Sequence, residues 1–407
     1  MIARTDDVRT QNRKRVLALV RLHRAISRTE IGTYSGLSAA TVSTITTDLI
    51  DEGVLRPVQH EPLPGSGRGR PPVTLQLEPK AALICAVHFR FNQIEARIVD
   101  YAGEIHGEHI REISTQDMGA TDIKNTLFSC IDDALKVSQR NHRALIRISV
   151  GFQGVTDVEG SMVLWTPICP EQNIPIKAWL EHDLGVSAVV ANDCNLLAEA
   201  LSWQSPDKYG ENFGAILIAE GVGMGLCLGG ETANGTISSG FEFGHMGYIP
   251  DGSLCRCGNL GCIEAYAGSY AIHRRALGKD LHSPPQDLVE SPNLEAIARA
   301  AEQGDRDALA AIESAGAAIG TGIAGLFALM DRFPIVLVGS GTIFFQYMEK
   351  AMLRAIRNAP TISDSDEIDI DCFSKEAPLV LDGCVIRALK GCDDMISEQR
   401  LGNEVAS

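Results

Sequence analysis

The chain has 407 residues, 45% hydrophobic and 22% charged. That is enough for two or three domains with a buried core, and it excludes a largely disordered protein. The net charge is −16, yet residues 1–80 hold 12 Lys/Arg against 8 Asp/Glu, a net of +4, which leaves −20 on the other 327 residues. Such an asymmetry excludes uniform binding of a polyanion but lets a basic head bind DNA while the acidic body repels it. No apolar run approaches the ~20 residues of a membrane helix, and the opening Met1–Asp7 lacks the apolar core of a signal peptide, so a cytoplasmic location is expected.

The first periodic segment, about Gln11 to Arg24, carries an apolar stripe of Val16, Leu17, Leu19, Val20 and Leu22. Ser27-Arg28-Thr29-Glu30 is a capping box that opens a short helix through Ile31 and Tyr34, and Gly36-Leu37 breaks it. Ser38 then caps a second helix to about Glu52, with Val42, Ile45 and Leu49 facing inward. Two short helices about a glycine turn predict a helix-turn-helix whose second helix enters the major groove. Ser38, Ala39, Ala40, Thr41, Ser43 and Thr44 face outward, small enough for close approach to base edges and able to donate to phosphates. Extended stretches at Val54–Arg56 and Val73–Leu77 predict a wing, and between them Gly67-Arg68-Gly69-Arg70 offers two arginines to a narrow minor groove. A solvated linker is the plain alternative for Arg68 and Arg70.

From about Ala81 the pattern turns to strands alternating with helices. Strands are predicted at Ala82–His88, Ile94–Val99, Glu104–His106, Leu145–Val150, Gly214–Ala219 and Ile335–Val338. Helices are predicted at Thr121–Arg140, Asn293–Met330 and Ile343–Asn358. The expected fold is α/β: residues 1–80 form the winged helix-turn-helix, and residues 81–407 form a two-lobed body with a ligand cleft between the lobes. Eight of the 11 cysteines are scattered and read as reduced core thiols. Cys255, Cys257 and Cys262 lie within eight residues and follow His245, which completes the four ligands of a closed, structural Zn2+ site.

The order helix-turn-helix, Gly-Arg-Gly-Arg-Pro wing, Glu242-Phe243-Gly244-His245 and Cys-x-Cys-Gly-x-x-Gly-Cys-x-Glu resembles the ROK family (repressors, open reading frames and sugar kinases) from about Gln11 to Asp393. It resembles more narrowly the sugar-responsive repressors of that family, of N-acetylglucosamine and xylose type. The resemblance implies an actin-like ATPase fold, a sugar in the cleft, and a homodimer or homotetramer on a palindromic double-stranded operator. It also implies sugar contacts from Asn192, Asp193, Glu242, His245 and Glu264. Carboxylates suit that work because each accepts paired hydroxyl hydrogen bonds.

Departures from the family pattern separate kinase from regulator. The first phosphate loop of the kinases, Asp-x-Gly-Gly-Thr, corresponds to His88-Phe89-Arg90-Phe91-Asn92, with both glycines and the Mg2+-binding Asp replaced. The second loop keeps its glycines as Gly221-Val222-Gly223-Met224-Gly225 but loses its hydroxyl, and the sugar loop Trp165–Pro170 lacks the usual asparagine. Phe241 stands where a second small residue is common and is expected to narrow the cleft. The expected function is therefore a transcriptional regulator with no catalytic residues, a repressor gated by a sugar or sugar derivative. The alternative is an ATP-dependent sugar kinase with a fused DNA-binding head.

Overall fold

The computed structural model describes residues 5–59, 73–285, 291–359, 362–363 and 366–398. Arg68 and Arg70 lie outside the described residues. The head opens with α1 (Thr5–His23), followed by β1 (Ile26–Ser27), α2 (Arg28–Ser35) and α3 (Ala39–Asp51). The Ser27–Glu30 capping box forms as the sequence requires, Gly36 ends α2 at φ 70°, and Ser38 caps α3 by accepting from the Thr41 amide. Strands β2 (Leu55–Gln59) and β3 (Val73–Leu77) make an antiparallel hairpin, to which β1 adds a third strand.

The first lobe contains β4 (Leu83–Arg90), β5 (Gln93–Asp100), β6 (Ile105–Glu112), α4 (Ala120–Val137) and β7 (Leu145–Phe152). Then come the small ribbon β8 (Val155–Thr156) and β9 (Val163–Trp165), α5 (Ile176–Leu184) and β10 (Ser187–Asn192). Helices α6 (Asp193–Gln204) and α7 (Pro206–Tyr209) lead to the second lobe, which opens with β11 (Phe213–Ile218), β12 (Val222–Leu228) and β13 (Glu231–Thr232). After a long excursion come α8 (Glu264–Ala267), α9 (Ser269–Ala276), α10 (Ser291–Glu302), α11 (Arg306–Leu329), β14 (Ile335–Val338), α12 (Phe345–Ile356) and β15 (Ile370–Phe373). Helix α13 (Ala377–Ser397) returns to the first lobe and packs on α6, β4 and β7.

The two sheets repeat one topology, β6-β5-β4-β7-β10 and β13-β12-β11-β14-β15. In each, an antiparallel meander comes first and two parallel strands are added beside its first strand. Strand β4 is buried on both faces, which is why its sequence reads as an unbroken apolar run. The expected single helix over 293–330 is two helices. Gly304 turns the chain at φ 82° and Asp305 caps α11 by accepting from the Ala308 amide. By length and composition α11 is apolar enough to cross a membrane, contrary to the reading of the sequence, but it packs against α12, α9 and α8 in the second lobe's core.

Head and body share one buried apolar cluster, running from Val16, Leu49 and Leu75 through Ala82 and Ile84 to Leu389 and Ile396 of α13. Polar contacts reinforce it. Arg21, 8% exposed, donates to Asp393 Oδ1 (2.7 Å) and to the Tyr101 carbonyl (2.8 Å), and its guanidinium lies 4.7 Å from the Tyr101 ring centre. The Tyr101 hydroxyl donates to the same Asp393 oxygen at 2.6 Å. Arg13, fully buried, ties Glu52 at the end of α3 to the Ile396 carbonyl in the last turn of α13.

Candidate functional site

The C-terminal ends of β4, β7 and β10 converge with the β11–β12 turn on a cleft between the lobes, where ligands of open α/β folds bind. Asn192, Asp193, Glu242, His245 and Glu264, expected from sequence as sugar contacts, all line one cavity there. Its volume of about 80 Å³ is small for a ligand site, so the lobes stand close together.

These side chains do different work. Asn192 caps α6: its Oδ1 accepts from the Cys194 and Asn195 amides and its Nδ2 donates to the Gly154 carbonyl at 2.7 Å. It frames the site with most of its hydrogen-bonding capacity committed. Asp193 is buried, and burial lifts its carboxyl to about 7, with Glu242 adding to the rise and the Cys194 amide opposing it. Burial likewise raises Glu242, while His245 draws it down. Glu264 accepts from the Val222 amide at 3.1 Å through one oxygen and from the Tyr270 hydroxyl at 3.4 Å through the other, so it braces the β11–β12 turn.

The glycines of that turn have a packing reason. A Cβ on Gly223 would sit 2.5 Å from Cys194 Sγ, and one on Gly225 2.0 Å from the Cys194 carbonyl. Close approach of β12 to α6 accounts for them without a bound phosphate. The narrowing expected from Phe241 does not arise in the cleft either: at φ 56° its ring packs on the second lobe's core. Trp165 is what fills that side, its ring edge-on to His245 at 6.1 Å. Arg256 is a second wall residue the sequence reading passed over, because it sat inside the cysteine motif as a spacer; its guanidinium lies 4.6 Å over Tyr270.

The β4–β5 hairpin carries the His88–Asn92 stretch at the edge of the cleft. Gln153 Oε1 accepts from the Phe91 amide at 3.0 Å and holds the hairpin over the cleft.

His245, Cys255, Cys257 and Cys262 gather with their ligand atoms within 4.8 Å of one another. Cys257 and Cys262 sulfurs are 3.8 Å apart, and Cys255 Sγ is 3.7 Å from His245 Nδ1. Tetrahedral Zn2+ with Zn–S near 2.3 Å puts sulfurs about 3.8 Å apart, so the donor set and its spacing fit that ion. Gly261, at φ 77° with its α-carbon against the Ile249 carbonyl, makes the turn that aims Cys262 inward. The cluster therefore can hold a metal.

On the head, Ser38, Ala39, Ala40, Ser43 and Thr44 are exposed and Thr41 half-buried, so they share an accessible surface at the start of α3. Thr44 Oγ1 donates back to the Ala40 carbonyl and Ser38 Oγ pairs with Thr41 Oγ1. Four of the head's cations, Arg9, Arg13, Lys14 and Arg21, are spent on ion pairs within the protein. The head thus has less free positive charge than the sequence count suggested.

A two-lobed sheet pair of repeated topology, closed over a carboxylate-lined cleft and carrying a Cys/His cluster beside it, defines the class of sugar-kinase-like proteins with an actin-like body. The model of the ROK family matches residues 86–364, and the chain belongs to that family. It is 25% identical over 397 residues to a xylose repressor of Caldicellulosiruptor bescii, covering 95% of this chain and 96% of that one. It is 26% identical over 362 residues to the DNA-binding transcriptional dual regulator NagC of Escherichia coli K12, covering 88% and 86%. Among solved structures, a ROK family transcriptional regulator homologous to the E. coli MLC protein superposes with a TM-score of 0.76 over 96% of this chain at 23% identity. A ROK family glucokinase of Streptomyces griseus, solved with glucose and AMPPNP, superposes with a TM-score of 0.60 at 22% identity, covering 75% of this chain and 99% of its own.

Proposed function

We propose that the chain is a DNA-binding transcriptional repressor whose operator affinity is set by a sugar or sugar derivative held between the lobes. Residues 1–80 act as a winged helix-turn-helix, with Ser38, Ala39, Ala40, Thr41, Ser43 and Thr44 at the major groove and Arg68 and Arg70 on the wing. Residues 81–407 bind the effector through Asp193, Glu242, His245 and Glu264, with Asn192 framing them. Structural Zn2+ sits at His245, Cys255, Cys257 and Cys262, and a homo-oligomer on a palindromic site in the cytoplasm completes the reading.

One observation carries it. The glucokinase leaves a quarter of this chain without counterpart, whereas the repressor relatives align along nearly the whole chain. The cleft supports the same side, since His88, Arg90 and Phe91 replace groups that a kinase needs to hold phosphates and Mg2+. The kinase alternative requires ATP-dependent hexose phosphorylation.

The test is fluorescence anisotropy of the full protein against its own upstream DNA, repeated with a panel of monosaccharides and ATP-coupled turnover assays. One sugar shifting the DNA affinity, with Glu242→Gln abolishing the shift but not DNA binding, is the expected result. Arg68→Ala should lower the slope of log affinity against log salt by about 0.9. Turnover of ATP with a hexose, or DNA affinity indifferent to every sugar, overturns the proposal.

A further inference from the structure

Helix α6 begins in the cleft and ends beside the head. Its first turn carries Asp193, which lines the cavity between the lobes, and β12 of the second lobe presses on that same turn at Cys194. Neither Gly223 nor Gly225 leaves room there for a methyl group, so the turn has no slack to absorb a shift of β12. Two turns on, Glu199 meets Arg387 of α13. The arginine Nε donates to Oε1 at 3.1 Å and to Oε2 at 3.2 Å, and its Nη2 donates to Oε1 as well. The pair is sheltered, its side chains 11% and 23% exposed. Asp193 to Glu199 is six residues, and Arg387 to Asp393, the carboxylate that holds Arg21 of the head, is six more. Each of these helical legs spans about 9 Å.

The pair differs in kind from the rest of the contact between α6 and α13. The two helices share one apolar cluster, and the α13 backbone at Gly383 lies on the Leu196 carbonyl. Apolar contact is non-directional, and packed helices slide past one another by small amounts within it. A guanidinium forked onto a carboxylate holds in one geometry only, so it fixes the two helices in register. The other polar tie, from Gln204 Nε2 to Asp382 Oδ2 at 3.1 Å, is exposed. At the far end the head has room to respond. Leu22, in the last turn of α1 and 44% exposed, borders a cavity of about 490 Å³ whose other walls include Glu199, Trp203, Arg387 and Lys390. A void beside that helix end lets α1 follow α13 without a clash.

We propose that Glu199 is the positioning residue that couples the cleft to the head. Its pair with Arg387 makes α6 and α13 move as one, so that a ligand shifting the lobes also shifts the seat of Arg21. This rests on the reading of the chain as a sugar-gated DNA-binding protein, and adds to it a route and a residue. Glu199 lines neither cavity of the cleft and acts only through Arg387. Coupling between the two sites is therefore separable from affinity at either one.

Two titrations on the full-length protein test this. Calorimetry gives the affinity for xylose, glucose, N-acetylglucosamine and N-acetylglucosamine 6-phosphate, and anisotropy gives the affinity for the upstream DNA with and without each. The neutral double variant Glu199→Gln/Arg387→Met removes the pair and strands no charge. The reversed double variant Glu199→Arg/Arg387→Glu keeps a pair in the same place. The comparison uses whichever sugar shifts the DNA affinity of the wild type by about fivefold or more. The neutral double should bind that sugar, and the DNA in its absence, within about twofold of the wild type, while its shift falls below about twofold. The reversed double should recover most of the shift. A pair that only stabilises the fold would lower the melting temperature and leave the shift intact in the neutral double, which overturns the inference and leaves the sugar reading standing. Loss of sugar affinity in the neutral double, or a reversed double as silent as the neutral one, overturns it too. If no sugar of the panel shifts the DNA affinity of the wild type, the sugar reading falls and this inference falls with it.

Discussion

Replacing Arg21 with Met tests how the head is held to the body. The substitution keeps much of the aliphatic stem but removes the guanidinium that donates to Asp393 and to the Tyr101 carbonyl and lies on the Tyr101 ring. Arg21 and Asp393 are both under a tenth exposed. The loss therefore strands a buried carboxylate, which costs about 3–5 kcal/mol, rather than the ~0–1 kcal/mol of a solvent-exposed pair. Asp393→Leu strands the cation in turn. In the double variant no charge remains, and most of the loss should be recovered, giving a coupling of about 2 kcal/mol or more. Urea unfolding gives the free energies. Limited proteolysis of the head reports undocking directly, and ~3 kcal/mol predicts a cleavage rate raised by roughly 150-fold where cleavage tracks the open population. Single variants costing under about 1 kcal/mol, or a double variant equal to the sum of the singles, would refute this account of the junction.

Three further outcomes are expected. Asp193 has a carboxyl raised above its ordinary 3.8 to about 7, so its contribution to stability is full below about pH 4 and lost as pH rises through 7. Asp193→Asn should remove that decline from urea melts taken between pH 4 and 8, and an identical pH profile in the variant would exclude the assignment. Cys257→Ser should lower bound zinc, read by elemental analysis, and lower the melting temperature, because metal affinity and folding are linked; a folded variant at full zinc contradicts the cluster. In Gly261→Ala the new methyl would meet the Ile249 carbonyl at 1.8 Å in a left-handed turn, so loss of a few kcal/mol and of metal together is expected. Unchanged metal content and melting temperature would show that the turn can adapt.

Local chemistry made the head legible. The Ser27 box, the Gly36 stop and the Ser38 cap each depend on residues within four positions, and the structure places all three. The cysteine motif was legible for the same reason. Its spacing brings the thiols together whatever the rest of the chain does, and His245, expected as the fourth ligand, joins them, whereas only the fold could show that Trp165 lies against it. Helices α6 and α13 escaped the periodicity argument because they are buried around most of their circumference and present no clear polar face. The roles of Arg13 and Arg21 were hidden differently. On the page they count as two positive charges of a DNA-binding end, and only partners some 380 and 372 positions away turn them into structural ties. His88 illustrates the reverse: the sequence marked it as a loss, the departed Mg2+ ligand, and the fold gives it a cavity to face.

The return of α13 to the first lobe has a consequence for how the molecule is made. Asp393 is 372 residues downstream of its partner Arg21. At about 5–20 residues per second, the ribosome finishes α1 roughly 20–75 s before it supplies the surface on which α1 rests. During that interval the nascent head has no body to dock on, and β4 and β7 wait with the face that α13 will cover still open to water. A chain cut short before α13, by a premature stop or a stalled ribosome, thus carries the whole head without the surface on which it rests. The cell's proteases would meet such a fragment with its apolar faces exposed. The last helix to be synthesised is therefore also the one whose arrival distinguishes a finished, controllable molecule from debris.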